Sequence, residues 1–492
     1  MSLQAAAAIF LSTFVLSACA PRTPAPAGAV YSYEITPPPD GSWTLKVEAT
    51  FEGSPGDRLV APEAAGSVRE VVLARGADTT PLAREGDAWL APPSCRTRCT
   101  IRYALDLDAV AAACHRMDCD RRVGDAIIGR ASTFMLRPRP MGDAVVRVRV
   151  AGPDVARFAT GLRRDPEGGY VFAARELGEA SFTAFGAIRR AQLAIPGSRA
   201  RVELALLGPP LAMGDQGVAG FVVESASCVA GLFGRFPVDA TVFVVPVRGS
   251  RSVVFGRVMS LAGASVALLV GDATPASSVH DEWVVVHELF HLGTPSFVGE
   301  GHWLEEGLAT YYEPIARERA GWMTEAELWS HFVREMPRGL RATGDAPELE
   351  ERDDTDSTYW GGALFAFLAD VNVRAASGGA HSLDDVIRAV LDREGDGTHA
   401  SRVADFLRDG DAAATNHELT AAYESWAVRG QNPDLDALWR KLGISRIADP
   451  RAGSERSASR EATVVLRDDA PWAAIRRGIA GVGVQHAGSE LH

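Results

Sequence analysis

Beyond its amino terminus, this 492-residue chain has no convincing membrane-spanning run. Residues 204–213 are apolar but short, and 241–247 read as a buried strand. No basic patch interleaved with aromatics occurs, and a formal charge of -13 argues against nonspecific nucleic-acid binding. Lysine and arginine are missing ahead of the apolar stretch 5–18, where a secretory signal ordinarily carries positive charge. Cysteine is scarce, six in all, and four of the six crowd into residues 95–119.

The amino-terminal stretch is shorter than the roughly 20 apolar residues a membrane helix needs, and Pro21, Pro24 and Pro26 follow it closely. Leu16-Ser17-Ala18-Cys19 reads as a lipoprotein signal-peptidase box, so residues 1–19 are expected to be a signal ending at a lipidated Cys19, and residues 20–29 a Pro-rich tether. Ala20 is not aspartate, which favours the outer membrane and a body facing the periplasm; a secreted or periplasmic protein is the alternative. The lipid bilayer would then be a partner through the acyl anchor, while nothing indicates an oligomeric state. In an oxidising compartment Cys95, Cys99, Cys114 and Cys119 are candidates for two disulfides with three possible pairings, a four-cysteine zinc site being the alternative. Cys228, in an apolar helical stretch, reads as a buried free thiol.

At 47% hydrophobic residues the chain can bury more than one core. Residues 30–205 carry β-rich runs such as 43–51, 145–150 and 200–207 and are expected to form a β-sandwich. From about 220 to 445 the pattern turns helical, with one strand pair at 240–247 and 264–271 expected to form a small sheet. The architecture is therefore a multidomain α+β chain, closed by an extension at 446–492 whose stretch 449–460 is polar. Residues 338–357, rich in glycine and acids, read as a solvated loop that could rim a cleft.

The most informative segment is His287-Glu288-Leu289-Phe290-His291. A helix turns about 100° and rises about 1.5 Å per residue, so the two histidines project from one face within reach of one ion, while Glu288 points aside as a candidate base. The expected helix starts near Ser278, capped with Asp281, buries residues 283–286, Leu289 and Phe290, and stops at Gly293 and Pro295. A second helix from about 301 to 319 would deliver Glu306 as third ligand, leaving a fourth position open on Zn2+. Glu305, about 100° away around that helix, is the competing ligand.

These segments resemble the gluzincin metallopeptidases, in particular the glycyl aminopeptidase family and more distantly the large zinc aminopeptidases. His287-Glu288-Leu289-Phe290-His291 matches their zinc motif. Trp303-Leu304-Glu305-Glu306-Gly307 matches their second-ligand helix, where the glutamate before glycine binds metal. Tyr359-Trp360-Gly361-Gly362 resembles their Tyr-x-Lys-Gly segment, which implies that Tyr359 donates a hydrogen bond to the oxyanion; Gly361 stands where the lysine would be. Ser382-Leu383-Asp384-Asp385 resembles a downstream structural segment. Those relatives carry an acidic residue on a strand before the zinc helix to grip the substrate amine, and residues 255–271 here contain none.

The resemblance implies a thermolysin-like zinc peptidase domain and hydrolysis of a peptide by metal-activated water with Glu288 as base. An aminopeptidase of the cell envelope is the first reading. A catalytically silent peptide-binding or maturation protein is one alternative, and an endopeptidase or another zinc-dependent amide or epoxide hydrolase is the other. Residues 266–270 are a candidate edge strand for holding an extended peptide.

Overall fold

The structure is a computed structural model that describes residues 28–447 and 464–481, apart from 55, 114–119 and 343. Cys19, the tether up to residue 27, Cys114, Cys119 and the polar run 449–460 lie outside the described residues.

A β-rich N-terminal region precedes a mainly helical one, as the patterning predicts. Its largest sheet has seven strands, and its first strand, Ala29–Thr36, pairs in parallel with Ala144–Val150 and antiparallel with Thr44–Glu52. Alternate side chains on that strand are buried, the signature of a sheet with one face on the core. Tyr31 and Tyr33 meet Phe51 edge-on inside that core. Two four-stranded sheets complete the region. Cys95 and Cys99 are joined in a disulfide just before and within the strand Arg98–Asp106, which removes the four-cysteine zinc site from consideration. Cys228 is a buried free thiol whose pKa burial pushes up to about 12.

The five-stranded sheet beneath the helices has the order Ile188–Ala194, Arg201–Leu207, Ala240–Val247, Ala264–Gly271, Val253–Met259. The hairpin 188–207 thus belongs to this sheet, although the sequence groups it with the β-rich region up to 205. One face of the sheet lies under the helices. The other packs Phe243, Val245 and Leu269 onto Ile128, Phe182 and Ala184 of the N-terminal region in a joint core. Covered on both sides, Ala264–Gly271 is buried at every position, which is why it reads as an unbroken apolar run. That strand is interior, correcting the expectation of an edge at 266–270. The sheet edge next to it is Val253–Met259, paired on one side only; the opposite edge is Ile188–Ala194.

Gly214–Phe233 is, by length and composition, apolar enough to cross a membrane; ten of its residues, from Val218 to Phe233, are buried, several of them in the core it shares with the two helices that carry the motifs. Residues 464–481 of the C-terminal extension are docked on that body. Val464–Leu466 pairs with Ile444–Arg446, and the fully buried Arg476 of the helix Ala473–Ala480 donates to Glu325 and Asp468.

Candidate active site

The first motif helix is shorter than its sequence suggests. It spans Val284–Phe290, preceded by a 3-10 turn at Ala276–Asp281 and followed by another at His291–Gly293. Ser278 does not cap it; its hydroxyl donates to the Pro275 carbonyl. Glu282, at the junction, accepts the N–H of Val253 at 3.0 Å, which ties the start of the helix to the edge strand instead of extending it backward. Trp283, expected inside, is half exposed and sets its ring edge-on against His287. From Val284 onward the prediction holds: Val285, Val286, Leu289 and Phe290 are buried, with Phe290 stacked on Tyr312 of the second helix.

That second helix runs His302–Arg319. Glu350, from the acidic loop expected to rim a cleft, accepts the N–H of Gly301 at 2.8 Å, placing a carboxylate at the positive helix terminus. The loop therefore anchors the helix. None of the described residues of 338–357 lines the cleft described below.

The two helices bring His287, His291 and Glu306 together. Glu306 Oε2 lies 3.0 Å from His287 Nε2 and 3.6 Å from His291 Nε2, and one donor atom from each residue falls within 4.8 Å of the others. Two imidazole nitrogens and one carboxylate oxygen form a donor set of the catalytic zinc kind, with a cleft on the open side. Burial would raise the Glu306 carboxyl, yet the imidazoles hold it well below the usual carboxylate range. Burial would lower His291, yet Glu306 raises it to about 9.

Glu305 is turned elsewhere: its Oε1 accepts the N–H of Phe297 at 2.5 Å, and His302 stands 3.9 Å from its other oxygen. Glu288 is half-buried beside the imidazoles and faces the cleft, and desolvation outweighs both rings to push its carboxyl above the ordinary value. Tyr359 lies in a π-helical turn, Ser357–Gly361, and its ring stacks on His287 at 5.9 Å between centroids. Burial, then Glu306 and Glu288, raises the phenol, which keeps its proton for donation. Gly361, in the place of the lysine, has its carbonyl bound by Trp426 Nε1 at 2.8 Å and Leu349 packed where a β-carbon would point.

The cleft holds about 630 Å3 and is walled by the edge strand from Phe255 to Met259, the segment 294–299 and the start of the Glu306 helix, with Glu179 of the N-terminal region contributing to its lining. Three residues in or near the site were missed from the sequence. Gly256 backs directly onto Glu288. Arg257 borders the cleft and acts electrostatically on both Glu288 and Tyr359. Glu313 is buried, receives Arg317 at 2.7 Å and interacts with His287; its spacing of two helical turns from Glu306 is the signal that could have exposed it.

No protein-family model and no curated protein matches the sequence. Solved structures do. The chain superposes on an aminopeptidase N family protein from Idiomarina loihiensis with a TM-score of 0.61 at 14% identity, over 87% of this chain and 82% of that one. An M1 zinc metallopeptidase from Deinococcus radiodurans aligns with a TM-score of 0.49 at 14% identity, over 84% and 97%. At these identities the likeness is one of fold. It is to the aminopeptidase N architecture in general, without singling out the glycyl aminopeptidases.

Proposed function

We propose that this chain hydrolyses peptide bonds with a zinc ion held by His287, His291 and Glu306. The observation that carries the reading is the convergence of these donors from two helices beside a cleft that also receives Glu288 and Tyr359. The fold shared with the aminopeptidase N family protein supports it.

A zinc ion there supplies Lewis acidity toward a carbonyl and a water. Glu288 takes one proton from the attacking water as its oxygen bonds to the carbonyl carbon. Its raised pKa makes the carboxylate a competent acceptor that can then return the proton to the leaving nitrogen as the C–N bond breaks. Tyr359, protonated, donates to the carbonyl oxygen as it becomes negative. Glu313, buried on the helix that carries Glu306, interacts electrostatically with His287. The edge strand offers unpaired backbone groups along the cleft to an extended peptide.

The Leu16-Ser17-Ala18-Cys19 box supports a lipid-anchored location in the cell envelope. The test is cleavage of a mixed peptide library by the mature protein alongside Glu288→Gln and Tyr359→Phe. The first variant should retain zinc and lose nearly all turnover, and the second should lose part of it. Unchanged turnover in Glu288→Gln would rule out its role.

A further inference from the structure

The residue beside the third ligand holds a wall of the cleft. Glu305 sits in the first turn of the helix His302–Arg319, and its Oε1 accepts the N–H of Phe297, eight residues earlier, at 2.5 Å. Between the two the chain reverses through Gly299 and Gly301, both at a φ of +89°, where glycine gives the backbone little restraint of its own. Elsewhere the segment is fixed from outside the motif. The N–H and hydroxyl of Ser296 donate to the carbonyls of His399 and Gly397 at 2.8 and 2.9 Å, and the Phe297 ring is buried edge-on against Phe406. Residues 294–299 all line the cleft, and Val298, directly after the bonded amide, is 58% exposed.

We infer that Glu305 is a positioning residue: by accepting the Phe297 amide it sets the cleft wall 294–299 against the helix that carries Glu306, and so sets how a peptide is held. This rests on the peptidase reading above. A carboxylate that accepts a backbone N–H makes a charge-assisted hydrogen bond, the stronger class, and one that ties two walls of a cleft together fixes the space between them. A substrate meets that space in the ground state as in the transition state, so the contribution falls on KM more than on kcat. The charge of Glu305 also acts on His291, so acceptor and charge have to be told apart.

Three substitutions separate them. Glu305→Gln keeps an acceptor oxygen at the same reach and removes the charge, Glu305→Asp keeps the charge and shortens the reach, and Glu305→Ala removes both. On the zinc-loaded full chain, KM for the library peptide that the unaltered protein cleaves best should stay within about 2-fold for the Gln variant and rise about 10-fold for the Asp and Ala variants, with kcat changed less than KM. Hydrogen–deuterium exchange in 294–299 should follow the same order, faster in the Asp and Ala variants and unchanged in the Gln variant. The inference is overturned if the Gln variant behaves as the Ala variant while the Asp variant behaves as the unaltered chain, since charge would then be the contribution. Zinc loss in the Gln variant overturns it too, by making Glu305 a ligand, as does either KM or exchange in 294–299 that is the same in all four proteins. Exchange is read without substrate, so an unaltered chain that cleaves no peptide sinks the peptidase reading while the order of exchange still decides on the Glu305 bond.

Discussion

A β-carbon on Gly256 would fall 2.4 Å from Cγ of Glu288. The edge strand and the motif helix meet at this point without room for a methyl group, so the rotamer of Glu288 is set by a glycine on another element. Gly256→Ala is expected to leave metal content unchanged and to lower kcat by about 100-fold or more, the contribution of a well-placed general base. Metal analysis paired with steady-state kinetics checks this. Wild-type kcat would mean that Glu288 does not act from this position.

Gly307 and Gly362 are in backbone contact: a β-carbon on Gly307 would stand 2.2 Å from the carbonyl carbon of Gly362, and one on Gly362 would stand 2.0 Å from the Trp303 carbonyl oxygen. The helix that carries Glu306 and the turn that carries Tyr359 are locked together there. Gly362→Ala should cost about 1–3 kcal/mol in stability through overpacking. It should also lower kcat, because it displaces the turn that carries the Tyr359 phenol from the helix that carries Glu306. A thermal melt with an activity assay reads both.

Asp370 accepts Tyr311 Oη at 2.9 Å, Arg374 Nε at 2.8 Å and the Leu383 N–H at 2.8 Å, all buried behind the Glu306 helix. Asp370→Ala leaves the buried guanidinium without its closest partner. It is expected to destabilise the chain by about 3–5 kcal/mol. Denaturant unfolding would show a smaller loss if Asp384, 3.7 Å from the same arginine, compensates.

Burial and then the neighbouring Glu325 raise the Glu318 carboxyl from its ordinary 4.5 to about 7. A carboxyl whose folded pKa is raised contributes stability that is full below the unfolded value and lost as pH rises through the folded one. Glu318→Gln should therefore be more stable than wild type at pH 8, by about 1 kcal/mol once solvent screening of this partly exposed group is allowed for, and equal to it near pH 4.5. Melting temperatures across that range test the sign.

The sequence made the ligand set legible because helical periodicity alone brings His287 and His291 onto one face, and the stop at Gly293 returns the chain to a second helix. The alternation on Ala29–Thr36 and the unbroken apolar run of Ala264–Gly271 likewise announced one-sided and two-sided burial. The start of the motif helix was not legible. Ser278 and Asp281 look like a capping pair, but a tertiary bond from Glu282 to Val253 decides where the turn ends. Strand order was hidden for a similar reason: Val253–Met259 and Ala264–Gly271 are both β-forming, and only the parallel partner Ala240–Val247 makes the second interior. Gly256 and Arg257 carry no local signal, since their roles come from a helix that lies across from them.

The most direct test is zinc per chain, measured by elemental analysis on protein purified without added metal, for the unaltered chain and for Glu306→Ala with its fold verified by circular dichroism. Binding by the three converging donors predicts about one zinc per chain for the unaltered protein and nearly none for the variant. An unaltered protein that takes up no zinc, or a variant that keeps it in full, would contradict the account.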